Sequence, residues 1–272
     1  MATSSLRQAS QPAPQTALIT GASSGIGADM ARLFASKRYA LVLVARTEAA
    51  LNALADDLRA AHGVPVTVVA HDLAQPDAPQ AIFEAVQRAN ITVDVLVNNA
   101  GYASYGPFVQ ADLRNELNEM QVNMAALTAL TRLFLPGMVQ RKRGGVLNVA
   151  STAAFQPGPG MAVYYASKAF VLSFSEALAY EVRGAGVHVT ALCPGATRSA
   201  FFDRANMHNS RFVRGRMMDS ATVARAGYEG LMQGRQVVIP GARNRLLAWS
   251  TRLFPRNMVT SVSARIAAPV GR

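Results

Sequence analysis

Three side chains in the middle of this chain could handle a proton together: Ser151, Tyr164 and Lys168. Tyr164 and Lys168 stand four residues apart in a stretch that reads as helix, so they share a face. Ser151 closes an apolar run, Val146 to Ala150, that reads as a strand. Between them Pro157, Gly158, Pro159 and Gly160 break the strand and let a helix begin. A strand end and a helix start can bring the hydroxyl and the phenol toward one point. A free tyrosine titrates near pH ~10, too high for easy proton exchange at neutral pH. A fixed ammonium about 5 Å away, at an effective dielectric of about 20, favours the phenolate by roughly 3 kcal/mol. That is about two pKa units, enough to bring Tyr164 toward the range of a general acid/base. The spacing alone also fits a buried tyrosine beside a surface lysine.

The elements around these residues alternate. Strands read at Thr16 to Thr20, Ala40 to Ala45, Val64 to Ala70, Asp94 to Val97, Val146 to Ala150, Val187 to Cys193 and Gln236 to Ile239. Helices read at Ile26 to Ser36, Glu48 to Ala61, Pro76 to Ala89, Glu116 to Val139, Met161 to Arg183 and Ala221 to Met232. Strands without polar alternation, separated by helices, predict a sheet covered on both faces. The fold class is therefore α/β: one doubly wound Rossmann-type domain, a mostly parallel seven-stranded sheet with right-handed crossovers. Ligands of such folds sit beyond the carboxyl ends of the strands. The domain is expected over residues 16–240, after a loose tail at 1–15 and before a basic extension at 241–272.

The first strand ends in Thr20-Gly21-Ala22-Ser23-Ser24-Gly25-Ile26-Gly27. Glycines permit a tight turn and close backbone approach to a ligand. The helix that follows offers free N–H groups and a positive dipole end to a phosphate.

Composition narrows the class. The chain has 272 residues, half of them hydrophobic and a sixth charged, ordinary for one soluble domain. One cysteine, Cys193, excludes an internal disulfide and suits a reducing compartment. His62, His71, His188 and His208 show no ligand spacing, so no metal site is expected. The N-terminus has no secretory h-region, and no apolar run approaches the ~20 residues of a membrane span. A cytoplasmic protein is the expectation.

Taken in order, T-G-A-S-S-G-I-G, Asp72-Leu73, Asn98-Asn99-Ala100-Gly101, Asn123, Ser151, Tyr164-x-x-x-Lys168 and Pro194-Gly195 resemble the short-chain dehydrogenase/reductase family. The resemblance covers roughly Ala17 to Pro240 and includes the thirteen-residue interval from Ser151 to Tyr164. It implies a catalytic set of Asn123, Ser151, Tyr164 and Lys168. Tyr164 protonates a carbonyl oxygen that Ser151 holds, Lys168 binds the nicotinamide ribose, and Asn123 holds a relay water. It implies a cofactor site of Gly21, Ser23, Ser24, Gly25, Ile26 and Gly27 at the pyrophosphate, with Asp72 and Leu73 at the adenine. Asn99, Ala100 and Gly101 border the ribose, and Pro194, Gly195 and Thr197 pass the nicotinamide amide, with Ser199 an alternative to Thr197. Asp72 could instead cap a helix, Asn99 could brace a turn, and Asn123 could be an ordinary exposed residue. As an interior helix residue, Asn123 also suggests a local bend.

The residue after the second strand chooses the cofactor. NAD-selective sites place an acid there. This chain has Ala45 followed by Arg46, whose charged fork can grip a 2′-phosphate. NADP(H) is therefore expected, unless Arg46 only starts a surface helix. Phe201, Phe202, Phe212, Met217 and Met218 fall in the substrate lid, residues 196–219, and suggest a hydrophobic substrate or simply lid packing. The activity these features predict is NADPH-dependent reduction of a ketone or aldehyde. A non-catalytic dinucleotide sensor is the alternative from another class.

From Ser199 onward twelve arginines face three acids, nine of the chain's net +11. Asn244 to Phe254 sets Leu246, Leu247, Trp249, Leu253 and Phe254 among Arg243, Arg245 and Arg252. That pattern predicts a helix whose apolar face docks on the subunit or its neighbour, with an anionic membrane surface second. No nucleic-acid recognition motif accompanies the charge. Apolar residues on the two long helices, Leu127, Leu130, Leu133 and Phe134 with Phe170, Leu172, Phe174 and Leu178, predict a homo-oligomer, a dimer or most readily a tetramer.

Overall fold

Both faces of the strands are covered, which is why their sequences show no polar alternation. A computed structural model of the chain describes residues 14–199, 201–204, 207 and 217–267. Most of the tail at 1–15 and half of the lid at 196–219, including Phe212, lie outside those residues.

Seven parallel strands form one sheet: β1 (Thr16–Thr20), β2 (Ala40–Ala45), β3 (Val66–Ala70), β4 (Val95–Asn98), β5 (Gly144–Val149), β6 (Val187–Leu192) and β7 (Val237–Val238). Their order is β3-β2-β1-β4-β5-β6-β7. The chain reverses direction across the sheet between β1 and β4, which opens a crevice at their carboxyl ends. On one face lie α1 (Gly25–Ser36), α2 (Glu48–His62) and α8 (Ser220–Met232), sharing a core with Met30, Phe34, Leu51 and Leu231. On the other lie α3 (Ala78–Arg88), a long composite helix, and α6 (Ala162–Glu181). The four-residue α7 is Phe201–Arg204, and α9 (Ala242–Ser250) and α10 (Arg256–Ala267) follow β7.

The composite helix departs from its expected form. It runs as α4 (Leu113–Met120), one π-helical turn (Gln121–Ala126) and α5 (Leu127–Gln140). Together these make Leu113–Gln140 long and apolar enough to cross a bilayer by length and composition. This corrects the expectation that no stretch approaches that size. The helix is apolar because it covers the sheet: Val122, Ala126, Leu127, Leu130, Phe134 and Met138 are all buried. Leu172 of α6 is buried too, and Leu133, Phe174 and Leu178 pack against the core. The apolar surplus assigned to a partner is thus largely consumed within one chain, with Phe170 left exposed.

The C-terminal segment also differs. The expected Asn244 to Phe254 helix ends at Ser250, and a second helix, α10, follows where none was read. Its apolar face is not docked on the subunit: Leu246, Leu247, Trp249, Leu253 and Phe254 are all exposed. A single small residue, Ala248, makes the buried contact instead.

Candidate active site

The crevice is a cleft of about 550 Å³ running from the β1–α1 turn to the N-terminal part of α6. At one end sits the glycine turn. Gly21 and Gly25 adopt left-handed backbones, with φ of 65° and 55°. A side chain on Gly27 would stand 2.3 Å from the Gly21 carbonyl oxygen, so α1 can approach the turn only without one. Ser24 precedes α1 in extended conformation and its side chain caps nothing. The first N–H groups of α1 therefore remain available to an anion. Gly21, Ser23, Ser24, Gly25 and Ile26 line the cleft, while Gly27 supports them from behind.

The floor beside the turn comes from β4. Thr20 Oγ1 accepts the backbone N–H groups of Asn99 and Ala100, both at 3.0 Å. Asn99 Nδ2 donates to the Thr20 carbonyl at 2.9 Å and lies near that of Gly21. Asn99 thus braces the turn, one of the two roles foreseen for it, and it also lines the cleft with Ala100 and Gly101. Asp72 and Leu73 line the same end, and Asp72 Oδ1 accepts the Ala74 N–H at 3.0 Å. Arg46 is exposed and lines the wall beside them. The site also takes in His71, Tyr102, Asn115, Asn118 and Val122, none singled out from sequence. They carry no local motif and are brought there only by the packing of β3, β4 and α4.

Tyr164 and Lys168 line the other end on successive turns of α6. Ser151 stands just behind, at the end of β5, close enough for its hydroxyl to hydrogen bond the phenol. Burial pushes the Tyr164 pKa well above its ordinary value, and the Ser151 hydrogen bond opposes that rise. The Lys168 ammonium donates to the Val149 carbonyl at 2.8 Å and lies 5.7 Å from the Tyr164 ring centroid. Burial lowers its own pKa to about 8. Desolvation is the largest influence on the phenol, opposite in direction to the lowering that the spacing of Lys168 leads one to expect.

Asn123 is buried within the π turn. Its Nδ2 donates to the Tyr102 carbonyl at 3.0 Å and to Ser167 Oγ at 3.1 Å, and its Oδ1 accepts the Tyr102 N–H. The local irregularity that its sequence position suggested is this π turn, where the side chain ties the helix to the Tyr102 backbone and to α6. A side chain on Gly101 would stand 3.0 Å from Asn123 Oδ1 and 3.3 Å from Lys168 Nζ. Only glycine leaves that space open between the two groups.

Behind Asn123 lies a pair of buried carboxyls, Glu116 and Glu119. Ser104 Oγ contacts both, and the Ser104 N–H donates to Glu119 Oε2 at 2.7 Å. A hydroxyl has one proton, so it can donate to only one of two carboxylates. Burial pushes Glu119 up to about 7, against the lowering effect of its Ser104 hydrogen bonds. Its charge reaches both Lys168 and Tyr164.

Pro194, Thr197 and Ser199 line the cleft after β6, and the Thr197 hydroxyl donates to the Gly195 carbonyl at 2.9 Å. Gly195 does not; a side chain there would strike Asn244 of α9. At the open end Tyr164, Phe201 and Phe202 pack with Met161, Tyr165 and Met207. Tyr105 Oη donates to the Ala267 carbonyl at 2.6 Å, which ties the end of α10 to this wall.

Comparison with known proteins agrees with this arrangement. The family model described as short chain dehydrogenase matches residues 15–210. A very-long-chain 3-oxoacyl-CoA reductase of Phaeosphaeria nodorum is 37% identical over 179 residues, 64% of this chain and 52% of that protein. The chain spans between 52% and 65% of the first curated relatives it matches. Among solved structures, a short-chain dehydrogenase from Sphingobium yanoikuyae in complex with NADPH is 36% identical, with a TM-score of 0.80 over 88% of this chain and 93% of that one. A bulky-bulky ketone specific alcohol dehydrogenase from Comamonas testosteroni is 33% identical, with a TM-score of 0.75 over 88% and 92%. A glycine turn at β1, a Ser151–Tyr164–Lys168 cluster at β5 and α6, and this match over most of its length establish that the chain belongs to the short-chain dehydrogenase family.

Proposed function

We propose that this chain reduces the ketone or aldehyde carbonyl of a hydrophobic small molecule with NADPH. The observation that carries the reading is the convergence of Tyr164, Ser151 and Lys168 at one end of a cleft whose other end is a phosphate-sized glycine turn. The residues fit a dinucleotide: Gly21 and Gly25 turn the backbone along the cleft wall, the N-terminus of α1 is uncapped, and Arg46 lines the wall where a 2′-phosphate needs a cation. Bound there, the nicotinamide supplies the hydride.

The chain's own residues do the rest. Ser151 holds the carbonyl oxygen, and Tyr164, kept protonated by burial, donates to that oxygen as negative charge develops. Lys168 keeps one proton on the Val149 carbonyl and turns the others toward the ribose and the space beside Gly101. A water in that space, held by Asn123 Oδ1, returns a proton through Lys168. Asp72 and Leu73 take the adenine, and Thr197 or Ser199 the nicotinamide amide. Phe201, Phe202 and Tyr102 favour an apolar substrate body, in keeping with the bulky and long-chain substrates named for its relatives. We place the protein in the cytoplasm, as a homo-oligomer paired through the smaller apolar surface that α5 and α6 leave exposed at Val139, Phe170 and Tyr180.

The test is NADPH oxidation with a panel of ketones and aldehydes. Tyr164→Phe is expected to lower kcat by about a thousandfold or more while leaving NADPH affinity within about threefold, since the phenol acts in the chemical step. Tyr165→Phe should be mild. Failure of every carbonyl to turn over, or a dead Tyr165→Phe beside an active Tyr164→Phe, overturns the assignment.

A further inference from the structure

Between Leu246 and Ile266 eight large apolar side chains stand about half exposed: Leu246, Leu247, Trp249, Leu253, Phe254, Met258, Val262 and Ile266, at 46–65%. Met258, Val262 and Ile266 recur every four residues and make one stripe along α10. The opposite face of α10, through Ser263 and Ala267, is the one buried on the protein. Leaving this much apolar surface in water is costly, so something is expected to cover it.

The charge around the surface selects what does. Residues 230–272 contain seven arginines and no acid. Arg243, Arg245, Arg252 and Arg256 are all exposed among the apolar residues. A second copy meeting this face across a two-fold axis would set the same arginines against one another, an arrangement that like charge opposes. A nucleic acid would satisfy the arginines and leave the aliphatic side chains without a partner. The molecule's other dense group of exposed apolar residues, Phe108, Val109, Leu113, Leu117 and Met120, makes a useful contrast. Asp112 is exposed within it beside Arg114, and the buried carboxyls Glu116 and Glu119 lie beneath it, so it lacks the positive field.

We propose that the α9–α10 surface docks on an anionic lipid bilayer. The leucines, Phe254, Met258, Val262 and Ile266 enter the headgroup–acyl boundary, Trp249 sits at the interface, and the arginines meet lipid phosphates and carboxylates. The interaction is peripheral. Neither helix is long enough to span, at nine and twelve residues.

Trp249 is the chain's only tryptophan, so emission excited selectively at tryptophan, beyond the absorption of the tyrosines, reports this surface alone. The experiment is titration of the full-length protein with phosphatidylserine-containing phosphatidylcholine vesicles, with pure phosphatidylcholine vesicles as reference, followed by flotation. The expected result is a blue shift and co-flotation with the anionic vesicles at low salt, strongly reduced at high salt. Arg245→Glu with Arg252→Glu should weaken partitioning by more than about twentyfold, roughly fivefold for each arginine removed. Leu253→Ser with Phe254→Ser should weaken it at any salt. NADPH binding and circular dichroism of the variants verify the fold. Three outcomes overturn the proposal. One is no shift and no flotation of the unmodified protein, and another is equal binding to both vesicle types. The third is Trp249 emission that shifts with protein concentration in the absence of lipid, which would assign the surface to a second copy.

Discussion

At the glycine-turn end of the cleft, the surface that meets a ligand is mostly backbone. Gly21 and Gly25 turn it, Gly27 lets α1 close on it, and Thr20 and Asn99 tie it to β4. At the Tyr164 end the surface is mostly side chain. Tyr164, Phe201, Phe202 and Tyr102 shape it, and their positions depend on α4, α6 and the distant C-terminal helix α10. A backbone-built site tolerates almost no added atom but makes few demands on composition. A side-chain-built site tolerates substitution and takes its chemistry from burial. The two ends should therefore fail differently when altered.

Beyond the chemical step itself, the largest effect on folding and cofactor affinity is expected at the backbone end. Gly27→Ala places a Cβ 2.3 Å from the Gly21 carbonyl oxygen, with no flexible neighbour to give way. Destabilisation of about 3 kcal/mol, the upper part of the overpacking range, is expected, with NADPH affinity lost about a hundredfold. Denaturant melts and cofactor titration check both, and an unchanged Kd would mean the turn is not the phosphate cradle.

At the seam between the two ends, Glu119 tests whether burial controls charge. Its pKa is raised to about 7 from the ordinary glutamate value. A raised carboxyl contributes stability that is fully present below its unfolded pKa and lost as pH rises through 7. Across that window the loss is roughly 3 kcal/mol. Glu119→Gln cannot ionise, so its melting temperature should gain on the unmodified protein between pH 5 and pH 8. A gap that stays constant with pH would show that the Glu119 carboxyl is not raised into that window.

Arg46→Ala comes next. One charge-assisted contact is worth roughly 1.5–3 kcal/mol, so the kcat/KM ratio of NADPH over NADH should fall at least about tenfold. The fall should come from weaker NADPH use. Equal use of both cofactors by the unmodified protein would remove the basis for the NADP assignment.

The smallest effect is expected at the side-chain end. Tyr105→Phe removes the bond to the Ala267 carbonyl and should cost about 1 kcal/mol. Because that bond seats α10 beside the substrate wall, KM for the carbonyl substrate should rise while NADPH affinity holds. A matching loss of NADPH affinity would break the contrast between the ends.

Much of this was legible in sequence. The doubly wound sheet follows from apolar strands alternating with amphipathic helices, because a strand buried on both faces has no polar positions to spare. The glycine turn is legible because steric permission is a property of single residues, and the Tyr164–Lys168 pair because helical period alone sets it. Tertiary structure decided the rest. His71, Tyr102, Asn115 and Asn118 reach the cleft only through packing of elements far apart in the chain. Whether Leu130 or Leu246 counts as surplus apolar surface depends on what covers it, and the covering is a property of the whole fold. The surroundings of Tyr164 were decided the same way: spacing places Lys168 nearby, but only the folded protein shows that one ammonium proton goes to the Val149 carbonyl and that the phenol is desolvated. Short-range geometry is written in residue spacing; burial is a sum over neighbours that spacing does not name.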